Sequence, residues 1–419
     1  MNVAPETSPT PRARLAQLDV LRGVAIVLVF GRHAPIHPTE AGAMLPLAGV
    51  WARFGWTGVD LFFVLSGFLV GGLLFHEIRT HSRLDVRRFL VRRIFKVWPA
   101  YFVYLAFVFV SLIVFQQQAP LLAIHLLVPN LLHVQNYLGT PRLHTWSLAV
   151  EEHFYLALPC LLWLATTRKR KPERILPLVL TLAAGLALVC TVWRCLIAYR
   201  YPSSLTSGED LLLPTHLRLD SLFTGVLIAY LYHFRPRVLE FLARRRWLLL
   251  VTGTMLVSPM MVLRVKTALV VPSVGLTLLY AGYGCILVAL LYTPLAGPRV
   301  DWLSRCLASA PARALAWFGT YSYSIYLWHA DASSILVGPW LRHGLFQQFS
   351  PEVRWLCAMV LYVMIGSAMG VVMGELVEKP ALALRERLFP SRAAVLRRAG
   401  GHPQPVRPVG GVSSEGSAT

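Results

Sequence analysis

Apolar runs of roughly twenty residues, nearly free of charge, recur about ten times along this 419-residue chain and leave little choice of fold. In lipid every backbone polar group needs a partner within the protein, which restricts spanning segments to helices and closed barrels. The runs lack the strict alternation of barrel strands. They fall at roughly 16–36, 56–76, 97–116, 146–167, 175–198, 214–234, 247–263, 270–293, 313–337 and 355–377. The seventh is the shortest and holds Pro259. With 56% hydrophobic and 14% charged residues, the composition excludes an ordinary soluble domain of this length. The expected class is all-α, a polytopic transmembrane helix bundle of about ten spans.

The net charge of +20 would suggest nucleic acid in a soluble protein, but its distribution argues otherwise. Basic residues collect in alternate connections. Arg79, Arg83, Arg87, Arg88, Arg92, Arg93 and Lys96 lie between spans two and three; Arg168 to Arg174 follow span four; Arg235, Arg237, Arg244, Arg245 and Arg246 follow span six. The intervening connections are poor in Lys and Arg, with Arg142 alone between spans three and four and Arg200 alone between five and six. By the positive-inside rule both termini are cytoplasmic. Most of these charges are then orientation signals and headgroup contacts. The expected setting is the cytoplasmic membrane, crossed many times, with no nucleic-acid partner.

Cys160, Cys190, Cys195, Cys285, Cys306 and Cys357 form no CxxC pair and suggest neither disulfides nor zinc. They read as buried, small hydrophobes. The first apolar run is long enough to span and precedes no small-residue cleavage pattern, so no cleavable signal peptide is expected. Residues 1–15 and 391–419 read as disordered cytoplasmic tails, and 16–390 as one membrane domain.

Within the first run, LDVLRGVAIVLVFGRH, Arg22 and His33 share one helical face about 16 Å apart. Ionisable groups in a span are costly and usually mark function. Topology brings others to the depth of His33: Asp60 in GVDLFFVLSGF; His144, Ser147, Glu151 and Glu152 in HTWSLAVEEHFY; Arg218 and Asp220 in THLRLDSLFTG; His329 in SYSIYLWH. Each also has a structural reading. Asp60 suits a helix start, Arg218 and Asp220 suit each other as a pair, and adjacent glutamates should not both face inward. Trp146 and Trp328 suit interface anchors. On the opposite side Arg93 and Lys96, three residues apart, make a basic cluster with Arg22, suited to phosphate groups. No metal site is indicated.

These stretches, with FLVRRIFKVWPAY and VEKP, closely resemble the acyltransferase-3 family of integral membrane O-acyltransferases and occur in family order from residue 18 to residue 380. The resemblance implies ten core helices, an acyl-CoA co-substrate approached from the cytoplasm, no tightly bound cofactor, and a hydroxyl acceptor on the other side: a glycan, glycolipid or secondary metabolite of the cell envelope. By motif match Arg22 and His33 take the paired functional positions, and Arg93 with Lys96 the family's RxxR position. Lys96 keeps the charge without the bidentate fork. His153 stands where Gln is common. Longer members carry a second, hydrolase-like domain. None is expected after this bundle, so transfer is expected to finish within the membrane or to pass to a separate protein.

The expected mechanism binds the CoA phosphates at Arg22, Arg93 and Lys96, runs the pantetheine arm along span one, and uses His33 as general base. Asp60 is the first choice to orient the imidazole, with Glu151 or Glu152 second. His144, Trp146, Ser147, Arg218, Asp220 and His329 would support the acceptor. An acyl-enzyme on Ser66, Ser147 or His33 is the alternative to direct transfer. The competing function is a transporter or flippase. Against it stands the absence of an internal repeat or of paired broken helices in the sequence.

Overall fold

The computed structural model describes residues 16–167, 175–200, 212–263, 270–295 and 300–390, and is all-helical there. Both expected tails and the basic stretch from Arg168 to Arg174 lie outside these residues.

The principal helices are α1 (Ala16–Arg32), α2 (Leu45–Phe54), α3 (Thr57–His81), α4 (Val86–Val114), α5 (Pro120–Leu131), α6 (Trp146–Thr167), α7 (Leu176–Arg200) and α8 (Leu219–Phe234). They continue with α9 (Pro236–Ala243), α10 (Arg246–Val257), α11 (Leu276–Leu291), α12 (Trp302–Ala308), α13 (Ala310–Thr320), α14 (Ser322–Asp331), α15 (Pro351–Met373) and α16 (Lys379–Leu388). Among the described residues six helical segments are long and apolar enough to cross a membrane: Thr57–His81, Val86–Val114, Leu143–Thr166, Pro177–Arg200, Val271–Leu291 and Pro351–Leu388. Several apolar helices of this kind make a multi-pass membrane protein.

Local chemistry sets many boundaries. Asp85 caps α4 by accepting the Arg88 amide at 3.0 Å. Ser82 closes α3 in the left-handed conformation, at φ 54°. Proline opens α5, α9 and α15, where its missing N–H costs nothing.

Other boundaries depart from the sequence reading. The third expected span begins eleven residues earlier than placed, at Val86 rather than 97, because the basic stretch VRRFLVRRIFK is itself helical. The ninth is broken at Tyr321, between α13 and α14, and ends in a π-helical stretch, Ala332–Val337. Further π-helical stretches are Val271–Gly275, which leads into α11, and Gly374–Glu378, which joins α15 to α16. The seventh is interrupted at Ser258 and resumes at Pro259, running to Val262, close to its expected end.

Two hydrophobic cores share α1. Leu18, Leu21 and Ala25 join α3, α6, α8 and α11 in one; Ile26, Val29 and Phe30 join α4, α5, α14 and α15 in the other. Val59, Phe62 and Tyr323 pack against both cores and so mark the seam between them. Without a strong hydrophobic drive between helices in lipid, close backbone approach matters more. A Cβ on Gly67 of α3 would lie 1.9 Å from the Leu222 carbonyl oxygen of α8, and one on Gly225 of α8 2.1 Å from that of Val64.

Burial corrects two assignments. Trp328 is no interface anchor: it is buried between Tyr104 and Phe107, with ring centroids at 5.3 and 4.8 Å. Trp146 likewise turns inward, against Phe63 and Arg218. Of the six cysteines, all free, only Cys190 is buried, so the others do not act as core hydrophobes. Some basic residues assigned to headgroups hold the protein instead. Arg92 pairs with Glu386 at 2.7 Å, and Arg79 donates to the His233 carbonyl at 3.2 Å.

Candidate functional site

Helix α1 ends on His33, whose amide still bonds back to Val29 and Phe30 at 3.3 and 3.2 Å. Its imidazole meets His329 of α14, with ring centroids 5.0 Å apart, and His144, just before α6, at 6.4 Å. His144 and His329 are 5.2 Å apart. Three histidines from three elements therefore surround one point. Among the described residues no metal-binding group is formed, and no carboxylate hydrogen-bonds His33.

Two of these rings are fixed by backbone carbonyls. His329 Nδ1 lies 2.7 Å from the Tyr326 oxygen, and His144 Nε2 lies 3.1 Å from the Leu327 oxygen. A carbonyl only accepts, so each of those nitrogens is assigned the proton in the neutral ring. His329 is then left with Nε2 as a lone pair, and this atom is buried without a partner. Tyr104 links His144, at 3.4 Å, to Asp331. Asp331 also accepts from Arg142 Nε at 2.6 Å, and Arg142 reaches Ser111 Oγ at 2.9 Å. Ser147 Oγ lies 2.7 Å from the Tyr326 hydroxyl.

A cavity of about 810 Å³ opens at this point. His33, His144, Ser333 and Ser334 line it together with Arg32, Arg142 and Arg342. The serines come from the π-helical stretch after α14. Such wide turns recur at functional sites because they redirect side chains without ending the helix.

The remaining expected residues do not lie in this group; one polar layer becomes three nests. Asp60 does not orient His33. It is fully buried and paired with Arg218, whose guanidinium sits over the rings of Trp146, Phe63 and Tyr280 at 5.3, 5.7 and 5.8 Å. Arg218 and Asp220 are not each other's partners either. Asp220 binds Arg194 of α7 at 2.9 Å, with Thr277 at 3.2 Å. Burial explains both pairings, since an unpaired charge inside the bundle costs several kcal/mol.

Glu151 and Glu152 form part of the third nest, and both face inward. Glu151 accepts from Tyr155 at 3.0 Å, and Tyr155 in turn meets Ser66 at 3.1 Å; Glu152 accepts from Trp98 Nε1 at 3.3 Å. Neighbouring helices enclose α6 on more than one side there, so a 100° turn still finds protein. His153 points elsewhere, to Thr215 Oγ1 at 2.7 Å.

Arg22, Arg93 and Lys96 do come together, within electrostatic reach of one another. Glu151 and Glu378 sit among them, so the cluster is a mixed one and not bare cations. Arg93 lies over the Phe89 and Tyr155 rings at 5.5 and 5.3 Å. Glu378, in the π-helical stretch Gly374–Glu378, accepts from Ser324. Between the two ends the α1 face is closed, because Ile26 and Val29 are buried. The partly exposed residues lie instead on α3, at Val59, Phe62, Ser66 and Leu69, a stripe of i, i+3 and i+4 spacing along the seam.

Sequence reasoning missed Asp331, Tyr104, Arg142, Tyr326, Arg194 and Glu378. Arg194 carried a usable signal, a lone Arg within an apolar run. The carbonyl partners of the histidines carried none.

The described residues thus form a membrane helix bundle with a histidine-lined cavity beside His33 and a mixed charged nest around Arg22. The chain belongs to the acyltransferase-3 family, whose acyltransferase domain matches residues 15–372. Peptidoglycan O-acetyltransferase OatA of Listeria monocytogenes is 28% identical over 341 residues, covering 77% of this chain and 50% of OatA. YrhL of Bacillus subtilis, provisionally named for the same activity, is 25% identical over 413 residues, covering 91% of this chain and 57% of YrhL. This chain thus spans about half the length of those two relatives. An uncharacterized protein of Haemophilus influenzae is 28% identical over 247 residues, covering 56% of this chain and 96% of that protein. No solved structure matches the chain.

Proposed function

We propose that this protein is a multi-pass O-acyltransferase of the cytoplasmic membrane, moving an acetyl or other short acyl group from cytoplasmic acyl-CoA to a hydroxyl of an envelope glycan. Peptidoglycan is the first acceptor to try, given the name of the Listeria relative. In this reading the bundle crosses the membrane about ten times with both termini inside, as the alternation of basic connections supports.

The observation that carries the proposal is that one helix presents Arg22 to the cationic nest and His33 to the cavity. The phosphates of acyl-CoA engage Arg22, Arg93 and Lys96. The pantetheine arm follows the α3 stripe past Ser66 and Phe62, a route that replaces the closed face of α1. At the cavity, His33 takes the proton of the acceptor hydroxyl as its oxygen attacks the thioester carbonyl. The C–S bond breaks, CoA leaves as the thiolate, and the ester oxygen keeps the new bond. His329 Nε2 can accept a hydrogen bond from a ring N–H of His33 and so hold that ring in the useful tautomer, the role expected of a carboxylate.

The test is protein in nanodiscs given radiolabelled acetyl-CoA and fragments of peptidoglycan glycan strands. Wild type is expected to release CoA and label the glycan, and His33→Ala to lose about 100-fold or more of that rate. Near-normal turnover by His33→Ala, with equal folded protein, would sink the assignment.

A further inference from the structure

We propose that the cavity at His33 selects acceptors by an anionic group, a carboxylate or phosphate carried near the hydroxyl that is acylated. Calling the ligand an acceptor rests on the acyltransferase reading; the charge selection itself does not.

Three arginines, Arg32, Arg142 and Arg342, reach this cavity from three separate parts of the chain, and no acidic residue lines it. Arg142 is neutralised by Asp331. Arg32 and Arg342 are exposed, and neither has an ion-pair or hydrogen-bond partner among the described residues. The cavity therefore carries two uncompensated positive charges beside the proposed base. Basic residues cluster mainly near the opposite, Arg22 end, where membrane orientation accounts for them. It does not account for arginines gathered around one opening at the His33 end.

Guanidinium groups suit carboxylate and phosphate because their planar donors match two oxygens at once. A wall of one sign also concentrates field lines and raises the local concentration of a counter-charged ligand. Ser333 and Ser334 add hydroxyls that can hold neutral parts of a sugar. About 810 Å³ accommodates a sugar unit with its anionic substituent.

Binding is measured by calorimetry on the full-length protein in nanodiscs, without acyl donor. The probes are the N-acetylglucosaminyl-N-acetylmuramic acid disaccharide, its lactyl methyl amide, a glycosyl glycerol phosphate, and the matching glycosyl glycerol. At least one charged probe is expected to bind about tenfold tighter than its neutral counterpart, which corresponds to about 1.4 kcal/mol. The two pairs separate carboxylate from phosphate. The preference should shrink with added salt. Arg32→Gln with Arg342→Gln should abolish it, and the corresponding pair of Lys substitutions should retain part of it. Equal affinity for charged and neutral probes, no binding of any probe, or an undiminished preference in the double Gln variant overturns the proposal. Failure of the acyltransferase reading would register separately, as absence of CoA release, because this readout needs no turnover.

Discussion

Removing the Asp60 carboxylate would leave the buried Arg218 guanidinium without its ion-pair partner, against aromatic faces and with the nearby Asp220 already bound to Arg194. Loss of one partner of such a pair costs about 3–5 kcal/mol, while replacing both with apolar residues of similar volume is often neutral. Asp60→Leu is therefore expected to lower the Tm strongly in detergent, and Asp60→Leu with Arg218→Met to recover most of it. Transfer activity per folded molecule should survive in the double variant. If Asp60→Leu keeps its Tm but loses transfer, Asp60 acts in chemistry and the structural account fails. At this scale the sequence pointed to the right kinds of residue and the wrong pairings. His33, His144 and His329 stand out as ionisable groups near span ends, and they do meet. What pairs Asp60 with Arg218, and not with His33, is the rotation of α3 against α8. A hydropathy pattern as uniform as that of α3 does not encode rotation.

Helix contacts impose their own requirement. The α3–α8 crossing rests on Gly67 and Gly225, each facing a carbonyl of the other helix too closely for a Cβ. Gly67→Val should force the pair apart and cost about 1–3 kcal/mol or more. The expected outcome is a lowered Tm together with disruption of the Asp60–Arg218 pair, which joins the same two helices. An unchanged Tm would mean that the crossing tolerates separation. The existence of the long helices was legible because length and apolarity suffice to announce them. The break at Tyr321 and the π-helical stretches Ala332–Val337 and Gly374–Glu378 were not, since SYSIYLWHADASSILV and VVMGELVEKP read as continuous helix. A π turn adds one residue to satisfy packing between neighbours, and packing has no local signature. These stretches shape the proposed site. One presents Ser333 and Ser334 to the cavity, and the other sets Glu378 beside Lys96 and Arg22.

Across the whole molecule, function as proposed is divided between two ends, joined along the seam between the two cores. Arg22 stands at one end and His33 at the other, about 16 Å away on one helix. A defect at one end should thus leave substrate binding at the other intact. Arg22→Gln and Lys96→Gln remove positive charge where the donor phosphates would sit. Each is expected to raise the KM for acetyl-CoA several-fold, with the KM for the glycan acceptor unchanged. A charge-assisted hydrogen bond to phosphate contributes about 1.5–3 kcal/mol, so a rise of about tenfold or more is within reach. Both effects should be tempered by neighbouring carboxylates, since Glu378 lies near Lys96 and Arg22 alike and Asp19 is 3.9 Å from Arg22. Steady-state kinetics with each substrate varied in turn measures both constants. An unchanged donor KM in both variants, or an equal rise in both KM values, would dissolve the division between ends and with it the donor site.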